Sequence, residues 1–309
     1  SYEKEYDGDK AVDEALTDIT VTAEDVPDVT ISVAATGTYD NENAGEGKNV
    51  TLTLTLSDTD GANIDWGNYS YNGAAPTEGK ITLTKAGAGT ITPKAITVTG
   101  ISAVNRVYDG TKVVQLTGEP KTTDKVGEDA LTLILASNAT GSIADANVDE
   151  GKDVTVETSV ITLGGTDKNN YTVKEVKYDA SNGLTVNIDQ RPVNLEYANI
   201  QDDRTIEKPY TGQPVSVTVE PVNDSQPNTG FVKDDTLNAD DVVYTYNPEG
   251  HTAVGSYTVT AALKAAPTGD YDNYQLNFPE EATLEITPAE MVVTAKNYTG
   301  TYTGQAHDV

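Results

Sequence analysis

Residues 50–56 read Val50-Thr51-Leu52-Thr53-Leu54-Thr55-Leu56, a strict alternation of apolar and hydroxyl side chains. Successive side chains of a β-strand point to opposite faces, so this run predicts a strand with one face in a core. Residues 215–219 and 257–261 alternate in the same way, and Gly, Asn, Asp and Pro separate such runs. The sequence therefore predicts an all-β fold of antiparallel strands joined by turns. Residues 11–19 alone carry apolar residues at a spacing that also fits a helix.

A short signal recurs along the chain at a nearly fixed period. It stands at spacings of 102, 102 and 92 residues, as Tyr6-Asp7-Gly8, Tyr108-Asp109-Gly110, Tyr210-Thr211-Gly212 and Tyr302-Thr303-Gly304. An Asp-x-x-Asn-Tyr pattern recurs in register with it, at residues 65–69, 167–171 and 270–274. A period of this size gives each repeat the length of a small domain, so the sequence predicts a tandem array.

Ile-led stretches close the repeats near residues 93, 190 and 288. We predict repeat 1 at residues 1–93, repeat 2 at 94–190 and repeat 3 at 191–288. Residues 289–309 then open a further repeat or form a C-terminal closing strand. The strand-like residues 96–99 and 291–294 leave a second phase open, in which they complete the sheet of the preceding repeat.

A repeat of this length with about seven short strands closes most economically as an immunoglobulin-like β-sandwich. A β-grasp arrangement, with one sheet over a short helix, is the alternative. Pro93 and Pro288 restrict the backbone at the seams, and no Gly/Ser-rich spacer intervenes. This composition favours stiff connections and an elongated array.

The recurring Tyr and Gly residues are interpreted as structural markers of the repeat. A Tyr buries a large ring while its hydroxyl finds a partner, and the Gly supplies a turn residue with positive φ. Thr211 replaces the Asp of the signal, so the ring and the turn are what the position needs. The markers are Tyr6, Gly8, Tyr108, Gly110, Tyr210, Gly212, Tyr69, Tyr171 and Tyr274.

The chain is strongly acidic, with 20 Lys and Arg against 49 Asp and Glu and a net charge of −29. Such a polyanion is repelled by nucleic acid and by an anionic membrane surface, so neither is expected as a partner. The sequence shows no signal-peptide pattern at Ser1 and no apolar run near the roughly 20 residues of a spanning helix. It contains no Cys, which excludes disulfides and thiolate metal sites.

One loop has the spacing of a calcium ligand set. Oxygen side chains alternate around Gly61, at Asp58, Asp60, Asn63 and Asp65, and Ca²⁺ takes oxygen ligands. A solvated acidic hairpin loop is the alternative interpretation. Calcium is the one cofactor for which we find a candidate. The pairs Asp234-Asp235 and Asp240-Asp241 are interpreted as surface charge that keeps the chain soluble.

Catalysis has little support in the sequence. The two His residues, His251 and His307, lie in different repeats, so a Ser-His-Asp triad is not expected within one domain. We therefore predict that the chain is not an enzyme. The single Trp of the chain, Trp66, and the nearby Tyr69 are candidate ligand-binding residues, with a core or loop anchor as the alternative.

Specific motifs carry a family resemblance. Residues 107–111 (Val107-Tyr108-Asp109-Gly110-Thr111), together with 146–148, 151–152 and 170–173, resemble the YDG-type repeat of large bacterial surface adhesins of the filamentous-haemagglutinin kind. Repeat 1 is similar to it. Repeat 3, with Tyr210-Thr211-Gly212-Gln213 and residues 254–260, resembles the related MBG-type repeat of bacterial cell-wall proteins.

This resemblance implies an extracellular protein of the bacterial cell surface, whose anchor and signal peptide lie outside this fragment. It implies no catalytic residues. We expect a monomeric stalk that presents a distal binding domain. The alternative is an adhesin module with its own site in repeat 1, for a glycan or for a protein of a host or neighbouring cell.

Overall fold

The computed structural model describes residues 1–17, 19–23, 31–58, 64–222, 226–295, 300–302 and 304–305, without the side chain of Asp58. The predicted all-β fold is confirmed, since no helix of seven or more residues occurs in this part of the chain. The chain forms two compact units. Unit 1 is Ser1–Val104, Lys112–Ala144 and Gly151–Val186, and unit 2 is Asn105–Thr111, Asp145–Glu150 and Asn187–Val309.

The strands are numbered in chain order. They are β1 (Tyr2–Glu5), β2 (Ile31–Tyr39), β3 (Gly45–Asp58), β4 (Lys80–Thr92), β5 (Lys94–Ala103), β6 (Arg106–Val107), β7 (Val113–Lys121), β8 (Thr132–Leu135), β9 (Thr140–Ser142), β10 (Asp149–Asp153), β11 (Ile161–Gly164), β12 (Tyr171–Val176), β13 (Thr185–Asp189), β14 (Arg191–Tyr197), β15 (Thr205–Pro209), β16 (Val219–Pro221), β17 (Val242–Asn247), β18 (Gly255–Leu263), β19 (Tyr274–Asn277) and β20 (Ala282–Thr287). Single 3-10 turns lie at Trp66–Asn68, Thr158–Val160, Lys168–Asn170 and Ala239–Asp241.

Unit 1 contains two four-stranded sheets, with the strand orders β1-β4-β3-β2 and β12-β5-β7-β9, and the pair β11-β8. In unit 2 the orders are β16-β14-β19 and β15-β20-β18-β17. The expectation of purely antiparallel sheets was wrong. The pairs β1/β4, β5/β12, β14/β19 and β15/β20 are parallel. Strands from the opening of a repeat lie beside strands from its end, and the long connection between them permits parallel pairing.

The strand that follows each seam pairs within its own repeat. In unit 1, β5 pairs with β7 and β12, both of repeat 2. In unit 2, β14 pairs with β16 and β19, both of repeat 3. The breaks between β4 and β5 and between β13 and β14 fall at Pro93 and Gln190. The domain boundaries themselves stay a prediction.

The alternating runs become half-buried strands. In β3 the apolar residues Val50, Leu52, Leu54 and Leu56 are buried in the core of unit 1. In unit 2, Tyr257 and Val259 of β18 are buried against Leu284 and Ile286 of β20. The hydroxyl of Tyr197 in β14 donates a 3.1 Å hydrogen bond to the Val259 carbonyl, which ties the two sheets of unit 2 together.

The helical option for residues 11–19 was wrong in the described part of that stretch. Ala11 instead bridges Thr38, and the Val12 N–H donates to the Gly37 carbonyl at 2.9 Å. The Ala11 carbonyl accepts a bond from the Lys4 ammonium at 3.0 Å. A Cβ at position 37 would lie 2.8 Å from Cγ2 of Val12, so the glycine admits this close approach. These contacts hold the segment extended against β2.

Candidate functional site

The three described Tyr-x-Gly signals share one local geometry. Each Tyr N–H donates to the carbonyl of the residue at the end of the closing strand, as Tyr6 to Thr92 at 2.9 Å, Tyr108 to Asp189 at 2.8 Å and Tyr210 to Thr287 at 2.8 Å. The glycines have φ of +88° at Gly8, +73° at Gly110 and +77° at Gly212. Glycine adopts such angles without the cost that a Cβ imposes. The sequence thus places each Tyr ring at the same end of its repeat.

In unit 1 this end of repeat 1 packs on repeat 2. Tyr6 is 3% exposed and meets Tyr171 edge to face, with ring centroids 5.5 Å apart. Both hydroxyls donate to Oδ2 of Asp129, at 2.8 Å from Tyr6 and 2.5 Å from Tyr171. The Tyr171 hydroxyl also accepts the Val126 N–H at 2.9 Å. One carboxylate therefore binds an aromatic pair that neither repeat supplies alone.

An asparagine bridge lies beside the aromatic pair. Asn170 is 3% exposed, and its Oδ1 accepts the Ala44 N–H at 2.8 Å. Its Nδ2 donates to Oδ1 of Asn43 at 3.2 Å. Because a buried amide left without partners is costly, this pairing also fixes the relative position of the two loops.

We call Tyr6, Gly8, Asn43 and Ala44 the Tyr-Gly element. We call Val126, Asp129, Asn170 and Tyr171 the Asn-Tyr element, and the contact of the two elements a junction. A Cβ on Gly8 would lie 2.8 Å from Cγ1 of Val126. The absence of a side chain at position 8 is therefore what lets the two elements touch.

Unit 2 contains a second junction of the same kind, in which the carboxylate accepts a bond from one tyrosine instead of two. Tyr108 meets Tyr274 edge to face at 5.4 Å, and the Tyr274 hydroxyl donates to Asp235. The Val232 N–H donates to that hydroxyl at 3.2 Å, as Val126 does in unit 1. A Cβ on Gly110 would lie 3.0 Å from Cγ1 of Val232.

The asparagine bridge is repeated as well. Oδ1 of Asn273 accepts the Val148 N–H at 2.8 Å, and its Nδ2 donates to Oδ1 of Asn147 at 3.1 Å. Here Arg191 adds bonds to the carbonyls of Gly230 and Thr229, both at 2.7 Å. The second junction thus has a Tyr-Gly element of Tyr108, Gly110, Asn147 and Val148. Its Asn-Tyr element is Val232, Asp235, Asn273 and Tyr274.

The junction keeps its tyrosines neutral. Burial, followed by the hydrogen bond to Asp129, raises the pKa of Tyr171 to about 12. The same two causes raise the pKa of Tyr6, and burial with the bond to Asp235 raises that of Tyr274. A neutral tyrosine can donate to a carboxylate, whereas a phenolate beside it would be repelled. The arrangement is therefore suited to binding between surfaces.

Two carboxylates that the sequence suggested were surface charge have structural roles. Asp235 bonds Tyr274 at the second junction. Asp241 is fully buried, and it accepts the N–H groups of Thr268 at 2.7 Å and Gly269 at 2.8 Å and the Tyr271 hydroxyl at 3.0 Å. These bonds, led by that from Thr268, lower the pKa of Asp241 to about 2. The surface-charge interpretation was wrong for Asp241, because backbone and tyrosine donors converge on this buried carboxylate. Asp235 is exposed, and it bonds a tyrosine in addition.

The calcium candidate falls mostly outside the described residues. Asp60 and Asn63 lie there, as does the side chain of Asp58. Oδ1 of Asp65 accepts the Gly67 N–H at 3.0 Å and so caps the 3-10 turn Trp66–Asn68. The calcium site stays a prediction.

An acidic cluster that the sequence did not single out surrounds Lys4. Its ammonium lies 2.8 Å from Asp7, 2.7 Å from Asp9 and 3.7 Å from Asp13. Burial lowers the pKa of Lys4, but the bonds to Asp7 and Asp9 outweigh burial and raise it. The lysine already supplies the positive charge among these carboxylates, so we assign no metal to them.

Trp66 and Tyr69 lie together in repeat 1, with ring centroids 6.1 Å apart. Both are half-buried, and they line a cleft of about 720 Å³ with Asn68, Tyr71 and Asn72. Aromatic rings beside a few amide groups are the usual lining of a small-molecule site. Tyr69 and Asn68 occupy the positions that Tyr171 and Asn170 hold in repeat 2, although Asn68 is exposed.

Sequence reasoning missed one half of the junction. It singled out Tyr171 and Tyr274, but not Val126, Asp129 or Val232. The signal that was available is a shared Val-x-x-Asp spacing, at Val126 to Asp129 and Val232 to Asp235. Its meaning depends on contacts with residues that lie far away in the chain.

Comparison with known families found one match. The model of the YDG domain matches residues 1–77 and 92–181, which is more than half of the chain. The matched residues include both elements of the junction in unit 1, and repeat 3 lies outside them. No curated protein matches the chain. In the described part of the chain, no helix is long and apolar enough to cross a membrane.

Proposed function

The chain belongs to the YDG domain family, and on this basis we propose that it is a non-catalytic repeat region of a bacterial cell-surface adhesin. In this role it is an extracellular stalk that holds a distal binding domain away from the cell. The stalk is an elongated array of immunoglobulin-like sandwiches. The two sheets of repeat 3, which share the core around Tyr197, support the sandwich form.

The repeated junction is the observation that carries this proposal. A spacer needs neighbouring repeats to keep a defined orientation. The edge-to-face ring contact and a tyrosine bond to a carboxylate recur, at Tyr6, Tyr171 and Asp129 and at Tyr108, Tyr274 and Asp235. Each junction combines ring packing, a bond from tyrosine to carboxylate and an asparagine bridge. Such contacts restrict bending more than a linker alone does.

The charge and composition fit this role. A net charge of −29 favours solubility and disfavours nucleic acid and anionic membrane surfaces as partners. His251 stacks on Tyr246 with ring centroids 3.7 Å apart, which is a packing contact and gives no support to a catalytic role. We propose that the chain is monomeric and needs no cofactor, apart from the calcium predicted at the loop of residues 58–65.

Small-angle X-ray scattering tests the stalk. A compact chain of this length has a radius of gyration of about 19 Å. Three repeats placed end to end would instead have a maximum dimension of roughly 100 Å. We expect the measured maximum dimension to be roughly 100 Å. The paired substitutions Tyr6→Ala and Tyr108→Ala should broaden the distance distribution, and Tyr210→Ala, which changes the same residue type outside both junctions, should leave it unchanged. A profile of a compact globule would reject the stalk.

The cleft at Trp66 favours a second candidate function, which is glycan binding by repeat 1. Sugars stack on aromatic rings, and Asn68 and Asn72 supply amide groups at its wall. Trp66 is the only Trp of the chain, so its fluorescence reports on this cleft alone. We expect oligosaccharide titration to change the emission of the protein and Tyr71→Ala to weaken that response. No change across neutral and acidic oligosaccharides would remove this candidate.

A further inference from the structure

The third Tyr-Gly element has the geometry of the other two but a different exposure. The Tyr210 N–H bonds the Thr287 carbonyl, and Gly212 has the same positive φ as Gly8 and Gly110. Yet Tyr210 is 43% exposed, whereas Tyr6 is 3% exposed. Among the described residues, the only atom within 4 Å of a Cβ built on Gly212 is the Tyr210 hydroxyl, at 3.9 Å.

A second exposed residue completes this surface. Ala44 and Val148, whose N–H groups bond the junction asparagines, each stand one residue before a strand, β3 or β10. Val254 stands in the same place before β18 and is 51% exposed. Tyr210, Gly212 and Val254 therefore form an exposed apolar surface at a position that is covered in both described junctions.

The two junctions show what kind of partner fits such a surface. The covering element brings a Val side chain against the glycine, a Tyr ring against the Tyr edge and an Asn oxygen to the backbone N–H. An exposed ring with an unpaired hydroxyl is a common mark of an interaction site. The chemistry required of the partner is thus defined by residues of this chain.

We propose that Tyr210, Gly212 and Val254 are the docking surface for the Asn-Tyr element of a further repeat of the same kind. This surface continues the pattern of the two junctions, which does not depend on where the protein is located. Ala253 stands where Asn43 and Asn147 stand, so this third junction lacks the bond between two Asn side chains. It is accordingly the weakest of the three.

The proposal can be tested in a chain that is extended by one further repeat, which supplies the Asn-Tyr element expected to bind the surface. In an extended chain, residues 1–288 are followed by a second copy of residues 191–309, which keeps the repeat register. Tyr210→Ala in the first copy should lower the unfolding midpoint of the extended chain by several degrees and that of the present chain by much less. Hydrogen exchange at the Val254 amide should slow at least tenfold in the extended chain. Equal effects in both chains would overturn the proposal.

A stabilising variant keeps the test independent of folding failure. Ala253→Asn restores the missing side-chain partner, so it should raise the midpoint of the extended chain and leave the present chain unchanged. A rise in both chains, or in neither, would count against the proposed docking. Concentration-dependent association of the present chain that Tyr210→Ala abolishes would mean that the surface binds a second copy, which would also overturn the stated partner.

Discussion

Gly8 and Val126 are so close that a Cβ on the glycine would lie 2.8 Å from Cγ1 of the valine. This distance is shorter than side-chain carbons tolerate, so the contact exists only with glycine at position 8. The glycine of the Tyr-Gly element therefore has two functions. It adopts a left-handed turn, and it lets another repeat approach the backbone.

We expect Gly8→Ala to destabilise unit 1 more than Gly212→Ala destabilises unit 2. Both glycines have positive φ, so both variants lose about 1 kcal/mol from backbone strain. Only Gly8→Ala also forces Val126 to move, and such overpacking costs about 1–3 kcal/mol more. Urea unfolding of the two variants measures the difference, and equal losses would contradict the contact.

Asp129→Asn should weaken the junction of unit 1. The carboxylate accepts hydrogen bonds from Tyr6 and Tyr171. A hydrogen bond to a charged acceptor contributes about 1.5–3 kcal/mol to the free energy of unfolding. We expect a loss of about 1–3 kcal/mol in the free energy of unfolding. Glu128→Gln is the matched control, because this neighbouring acid is exposed. A loss as large in the control would show that net charge, and not the shared bond, is responsible.

High pH should release the junction tyrosines. The pKa of Tyr171 is raised to about 12, from a value near 10 in the unfolded chain. Its contribution to stability is therefore fully present below pH 10 and is lost as the pH rises towards 12. Unfolding free energies measured between pH 8 and pH 12 should fall over that interval. Tyr171→Phe should flatten part of this fall, and an unchanged profile would contradict the assignment.

Low pH should act on Asp241. Its pKa is lowered to about 2, so its contribution is present above the unfolded value near 4 and is lost as the pH falls through 2. Asp241→Asn should lower the unfolding midpoint at pH 7 by several degrees and should reduce the acid sensitivity of unit 2. The adjacent Asp240→Asn changes an exposed residue and should do neither. Matching midpoints for the two variants would speak against the buried role.

Calcium should raise the thermal midpoint if the loop of residues 58–65 binds it, because a ligand that binds only the folded state stabilises that state. We expect a rise of several degrees over the value with chelator, and its loss in Asp60→Asn. Asp13→Asn is the control, since Asp13 lies beside Lys4. A midpoint that does not respond to calcium would remove the metal site.

The strand pattern could be read from the sequence wherever alternation and pairing coincide, as in β3. Residues 215–219 show a partial failure. Val215 and Val217 are buried as predicted, but β16 begins only at Val219. The N–H groups on this side of the segment donate to tyrosine hydroxyls instead of to a strand, from Val217 before β16 to Tyr246 at 3.3 Å and from Val219 at its start to Tyr244 at 2.9 Å. The alternation of apolar and polar residues predicts which side chains are buried. It does not predict which groups accept hydrogen bonds from the backbone N–H groups.

The junction could be predicted only in part for a similar reason. Tyr6 and Tyr171 were recognisable because their motifs recur, and recurrence marks residues that every repeat needs. Asp129 was not recognisable, because an acidic residue in an acidic chain carries no local signal of its role. Its function arises from two hydroxyls that approach from different repeats.

The two faces of the junction are different, and repeat 2 contributes one of each kind. Its Tyr108 belongs to a Tyr-Gly element, while its Tyr171 belongs to an Asn-Tyr element. Copies of such a repeat can be concatenated in one direction only, since like faces have no complementary contacts. A gene that gains or loses one whole repeat by recombination therefore rejoins matching faces each time. The length of the protein can change during evolution without the redesign of a single interface.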